Sequence, residues 1–200
     1  MKMKTMKTTK TMKTMKTMKN YIPVLSLVAL LCMTSCTDDN EVQIINEDEL
    51  ITTVELELTS SSDATNVILF KSVDIDGDGP DDPVITVTGT INANTSYDGS
   101  IRFLNESIAP TENITEEVIE EGDEHEVFYN SSLADFSITK VDLDANGNPL
   151  GVITTLQTGA AGTGTLTVVL RHEPTKPNDN TLSGAGGETD VQVSFALTVE

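Results

Sequence analysis

Two histidines occur in the chain, and each is followed by a glutamate: His125-Glu126 in EEGDEHEVFYN and His172-Glu173 in VVLRHEPTKP. Imidazole suits zinc, copper and iron, and Zn²⁺ accepts mixed nitrogen and oxygen donors. Two imidazoles with Glu124, Glu126 or Glu173 beside them are therefore the donors a transition-metal site needs. Each histidine sits at the edge of a β-rich segment, one entering and one leaving, and two strand ends at one pole of a sandwich can be neighbours. A structural reading competes with this one. In TLTVVLRH the alternation Leu166, Val168, Leu170, His172 puts the imidazole on the apolar face, where a histidine at the rim of a core also belongs. His125 lies among Glu120, Glu121, Asp123, Glu124 and Glu126, whose charges are expected to raise its pKa. A solvated polar face has the same composition.

The second chemistry is that of hard cations. VDIDGDGPDDPVIT (73–86) and VDLDANGNPLGVIT (141–154) align without gaps, and each carries Asp-x-Asp-x-Asp/Asn-Gly. Calcium takes six to eight oxygens, and an EF-hand loop draws side-chain oxygens from its first, third and fifth positions around a sharp glycine turn. Asp74, Asp76 and Asp78, with Asp82 to complete them, are candidate calcium ligands in the first copy; Asp142, Asp144 and Asn146 are those of the second. The twelfth position, a bidentate glutamate in an EF-hand, is Ile85 in one copy and Ile153 in the other, so neither loop is an EF-hand. Asp-Gly and Asn-Gly are also ordinary hairpin-turn chemistry. The echo predicts two similar hairpins in one sheet system.

The elements that must position these groups read as strands. LITTVELELT (50–59) and DVQVSFALTVE (190–200) alternate apolar and polar residues with period two. Between them lie NVILFKSV, VITVTGT, GSIRFLN, EVFYN, ADFSITKV, GVITTLQT and TLTVVLRH, separated by Gly, Asn, Asp and Pro turns. This predicts a mostly β protein, an antiparallel immunoglobulin-like β-sandwich of about seven to nine strands. NITEEVIEE (113–121) is the exception: Ile114 and Val118 are one helical step apart, and Asn113 or Thr115 is placed to cap one short helix.

Ahead of the sandwich, residues 1–35 form a lysine-rich Met-Lys-Thr repeat and an apolar run, the pattern of a secretory signal. MKNYIPVLSLVALLCMTSC (18–36) is a complete signal by itself, so Met18 is an alternative start. Met33-Thr34-Ser35-Cys36 resembles a bacterial lipobox, which makes Cys36 the expected lipid-bearing residue, 36–49 an acidic tether and 50–200 one domain. Residue 37 is Thr rather than Asp, so the expected destination is the outer membrane. The acids Asp38, Asp39 and Glu41 resemble a surface-export tract.

Seven of the 12 basic residues lie in residues 1–35, leaving five against 32 acids, a net charge of −27 for the remainder. No basic patch can be assembled from five cations, so nucleic acid is not an expected partner, and the membrane contact is expected through the lipid on Cys36 only. A hydrolytic triad would need one of the two histidines, and no nucleophile motif marks a partner for either. SGAGGETD (183–190) lacks the lysine of a phosphate loop and reads as a flexible connection. Three Tyr, five Phe and no Trp supply a carbohydrate platform poorly. Binding rather than catalysis is the expectation.

With the lipobox, VDIDGDGPDDP, LNESIAPTENITEEVIEEGDEHEVFY and VVLRHEPTKP together, the chain resembles small acidic flavobacterial (Bacteroidota) lipoproteins labelled "type 1 periplasmic binding fold" and often encoded beside a TonB-dependent receptor. The resemblance covers most of residues 50–200. It implies a lipid-anchored outer-membrane protein, exposed at the cell surface, that partners a TonB-dependent receptor in nutrient uptake. Capture of a metal ion or metal complex is then the expected role. A calcium-stabilised structural or adhesive sandwich is the alternative. A two-lobed α/β fold, which the label would suggest, does not fit these strands.

Overall fold

The computed structural model describes residues 50–77 and 80–200. The signal segment, Cys36, the tether and Asp78 therefore lie outside the described residues. The chain runs β1 (Thr53–Ser60), β2 (Asp63–Val73), β3 (Val84–Thr88), β4 (Ser96–Leu104), α1 (Ile114–Glu120), β5 (His125–Ser131), β6 (Ser137–Lys140), β7 (Ile153–Gln157), β8 (Gly162–His172), α2 (Leu182–Ala185) and β9 (Glu188–Val199). All pairings between these strands are antiparallel. They form two sheets, ordered β3-β2-β1-β4-β7-β6 and β5-β8-β9.

Setting aside the β2–β3 hairpin leaves β1-β4-β7-β6 opposed to β5-β8-β9. That is the ABED and CFG strand order of a constant-type immunoglobulin domain. The expected sandwich is thus present, with a hairpin inserted after its first strand that widens one sheet by two strands. The three-stranded sheet covers β2, whose Phe70 meets Phe195, but leaves β3 exposed. Every residue of β3 is exposed, including Ile85 and Val87, although these two pair with the buried Ser72 and Phe70.

Period-two alternation builds the core. Leu56 and Leu58 of β1, Ile68 and Phe70 of β2, Tyr97 and Phe103 of β4, Leu166 and Leu170 of β8 and Phe195 of β9 are all fully buried. Phe70 meets Phe195 edge to face across the two sheets, with ring centroids 5.4 Å apart, the geometry aromatic quadrupoles prefer. On the opposite face of β1, Glu55 stands between Lys71 and Arg102, its partners on the two neighbouring strands. It makes ion pairs with both.

Helix α1 buries Ile114 and Val118 as their spacing requires. Asn113 occupies the N-cap position without a side-chain cap bond, its amide donating to Glu116 Oε1 instead. Thr115 is not a cap either: its hydroxyl accepts from Phe103 N at 2.8 Å and donates to Phe103 O at 3.2 Å, pinning the helix to β4. The connection expected to be flexible contains α2, where the Thr181 hydroxyl accepts from Gly184 N. Ala185 of α2 packs on Phe128 and Val169, covering the outer face of the smaller sheet. Among the described residues no helix is long and apolar enough to cross a membrane.

The two acidic echoes are the hairpins β2–β3 and β6–β7, at opposite edges of the six-stranded sheet. They are similar but not superimposable in register. Val73 pairs with Val84, whereas Val141, its counterpart, donates its N–H to Ile153 O, one residue further on.

Candidate metal site

The first residue of β5 and the last of β8 are His125 and His172, and they pair directly across the ladder. Both belong to the inward-facing alternation of their strands, His125 with Val127 and His172 with Leu170. Their rings come to 4.8 Å between centroids, tilted by 38°. His125 is fully buried, and the His172 side chain is 18% exposed.

The third group comes from β9 through a bulge. Leu170 pairs with Val191 but Arg171 pairs with Thr189, so Asp190 is an extra residue in the strand. A bulge breaks the alternation and re-aims a side chain, and here it brings Asp190 onto the side of the histidines. Asp190 Oδ2 lies 3.9 Å from His125 Nε2, and its Oδ1 lies 3.7 Å from His172 Nδ1. One ligand atom from each of the three residues falls within 4.8 Å of the others. Tetrahedral bonds of about 2.0–2.1 Å hold ligand atoms roughly 3.3 Å apart, so each His–Asp pair is about half an ångström wider than a zinc site requires.

A hydrogen bond fixes the orientation of the His125 ring. His125 Nδ1 is 3.2 Å from Glu121 O. A carbonyl only accepts, so Nδ1 carries the proton and the Nε2 lone pair of the neutral ring points at Asp190. His125 Nε2 is buried and makes no hydrogen bond. Glu124 Oε2 lies 3.9 Å from His172 Nε2, on the other side of that ring from Asp190. Both imidazoles thus have one nitrogen facing the shared centre and the other facing a protein oxygen, the arrangement that orients metal-bound histidines.

The acidic cluster does not raise the His125 pKa. Burial, first, and then the neighbouring His172 and Lys176 push it below the usual histidine range, against the opposing pull of the Glu121 carbonyl and carboxylate. Desolvation of the charged ring outweighs acids such as Glu120, Asp123 and Glu124, whose own residues are exposed.

Two expected ligands stand elsewhere. Glu126 follows His125 on a strand, so its side chain points to the opposite face. Its Oε1 accepts from Lys140 Nζ at 2.6 Å and its Oε2 from Asn178 Nδ2 at 2.7 Å, all three groups being at least partly buried. Burial pushes the Lys140 pKa down, opposed by Glu126, and its ammonium sits 4.0 Å from the centre of the Phe128 ring. Glu173 is exposed, with φ of 49°; its backbone N–H, not its carboxylate, reaches the site region by donating to Glu124 O. In the sequence, Asp190 stands only where SGAGGETD ends and the last strand begins. Its signal there is positional: the last residues of SGAGGETD (183–190), Glu188 to Asp190, return opposite the end of β8.

The acidic turns differ from one another. In the second, Asp142 accepts from the N–H groups of Gly151 and Val152. Asp144 accepts from Asn146 N, Asn148 N, Asn148 Nδ2 and Lys176 Nζ. Although burial acts upward on Asp144, these donors hold its pKa below the usual carboxylate value. Its oxygens are directed at protein donors, and Asn146 contributes its backbone N–H. In the first turn, Asp76 Oδ2 accepts from Asp81 N and Asp82 is exposed. Asp74 faces a cavity of about 510 Å³ between the sheets, which His172, Glu188 and Asp190 also line.

A glycine sets how β9 enters the site. Gly187 has φ of +70°, and a Cβ there would lie 2.3 Å from His172 O. Only glycine allows the chain to pass so near the backbone of His172 in this conformation.

No protein-family model matches the chain, and neither a curated protein nor a solved structure shows significant similarity to it.

Proposed function

We propose that this protein captures a transition-metal ion through His125 Nε2, His172 Nδ1 and Asp190, as a lipid-anchored accessory of a TonB-dependent uptake system. The observation that carries the metal reading is the His125 ring. Its Nδ1 proton is committed to Glu121 O, and its buried Nε2 lone pair faces a carboxylate across 3.9 Å. Two acceptors facing one another out of water are stabilised by a cation between them. Two imidazoles and a carboxylate suit zinc and iron(II), and imidazole also suits copper. Anchoring through Cys36 and a surface location rest on the lipobox and on the resemblance of the chain to receptor-linked lipoproteins. A tethered binder raises the local concentration of its cargo at a receptor.

Calorimetric titration of Zn²⁺ into chelator-stripped protein tests the site. Binding at micromolar Kd or tighter is expected, with loss in His172→Ala and in Asp190→Asn. Equal weak heats from all three proteins would reduce the acids to a diffuse cation cloud and return the histidines to the fold. Loss of acyl labelling in Cys36→Ser checks the anchor.

A further inference from the structure

We infer that the metal is received together with a small amine-bearing chelate, neutral or cationic, rather than as a bare ion or an anionic carboxylate complex. The inference rests on the metal reading and deepens it. His125, His172 and Asp190 supply three donors, one fewer than a closed tetrahedral site needs, so a coordination position stays available to a ligand from outside.

Room exists for such a ligand beside the donors. His172 and Asp190 lie in the wall of the 510 Å³ cavity, a volume within the range of organic-ligand pockets, about 300–1,000 Å³. His125 does not line the cavity itself, but its buried Nε2 lies 3.9 Å from Oδ2 of Asp190, which does.

The chemistry of the wall selects the class of chelate. Besides Asp190, the cavity carries the carboxylates of Asp74, from the turn after β2, and Glu188, at the start of β9. Among the described residues no Lys or Arg lines it. A divalent ion with one carboxylate ligand keeps one positive charge, and the two further carboxylates exceed it. A citrate-like chelate would add like charge to this acidic wall, whereas an ammonium would meet partners there. Val54, Val191 and Val193 supply apolar surface for a short hydrocarbon stem.

Histamine is a suitable probe: its imidazole and amine both bind metal, and it carries no carboxylate. Equilibrium dialysis of the full chain loaded with Cu²⁺ is expected to retain about one histamine per copper and to retain no citrate. Asp74→Asn should weaken histamine retention about tenfold while copper affinity and melting temperature stay unchanged. Copper binding without histamine retention, or equal retention of citrate, overturns the inference and leaves the metal reading standing. Absence of copper binding overturns both.

Discussion

His125 and His172 are cross-strand partners, the first residue of β5 set against the last of β8, with their rings 4.8 Å apart. The two nitrogens facing Asp190 are therefore positioned by backbone pairing rather than by loop conformation.

The donors can be separated from the neighbouring acids. Glu173→Gln and Glu126→Gln should each change Zn²⁺ affinity less than about threefold, because neither carboxylate faces the centre. Asp190→Asn should weaken it by about a hundredfold, the upper end of the roughly 10–100-fold that loss of even an outer-shell partner costs. Competition with a fluorescent zinc chelator would rank the four proteins. An intact affinity in Asp190→Asn would remove β9 from the site.

Protonation of His125 ties stability to pH. Its pKa is lowered in the folded chain, so below about 6.5, the ordinary histidine value, the unfolded state binds the proton first. Stability from this residue is full above that pH and is lost as pH falls. In metal-free protein the fall in melting temperature between pH 7.5 and 5 should be smaller in His125→Gln than in the native chain. Parallel curves would show that His125 titrates alike in both states.

The buried Lys140–Glu126 pair predicts a cost that depends on which partner is removed. Lys140→Met leaves a carboxylate without its cation and should destabilise by about 3–5 kcal/mol. Lys140→Met/Glu126→Leu should recover most of that loss. Urea unfolding of the single and double variants decides it, and equal destabilisation would place the effect in packing.

Gly187 links backbone geometry to the proposed site. Gly187→Ala should lower stability by about 1–3 kcal/mol from strain at positive φ and weaken Zn²⁺ binding, because β9 must shift from His172. Chemical denaturation and zinc titration of one sample measure both effects. Loss of stability with undiminished affinity would show that Asp190 is placed independently of that close approach.

Calcium should leave the melting temperature unchanged within about 1 °C at millimolar concentration. The Asp142 and Asp144 oxygens already accept from protein N–H and ammonium donors. A rise of several degrees would restore a calcium role to the hairpins.

Much of this arrangement is legible in the sequence where one physical rule acts alone. Alternation at the two terminal strands, with β-rich segments bounded by turn residues between them, located the nine strands of the described residues; alternation put His172 on the apolar face, and the Ile114–Val118 step located α1. Legibility failed where distant parts of the chain decide. Glu126 looks like a companion of His125 until Lys140 and Asn178 arrive on its other face. Asp190 cannot be placed by alternation, because the bulge that delivers it interrupts the period. The His125 pKa followed burial, which the surrounding run of acids concealed.

The inserted hairpin leaves a different mark on the molecule. Strand β3, VITVT, is an uncharged edge with both faces in water, the kind of segment that templates pairing between chains. Its protection is written in sequence rather than in packing: Pro80, Asp81, Asp82 and Pro83 stand as gatekeepers at its entrance, and the long-range repulsion of a strongly acidic surface keeps copies apart. That repulsion is screened within about 8 Å at physiological ionic strength. Colloidal stability in this protein is therefore a property of its charge and its salt, and self-association is the failure expected wherever either is neutralised.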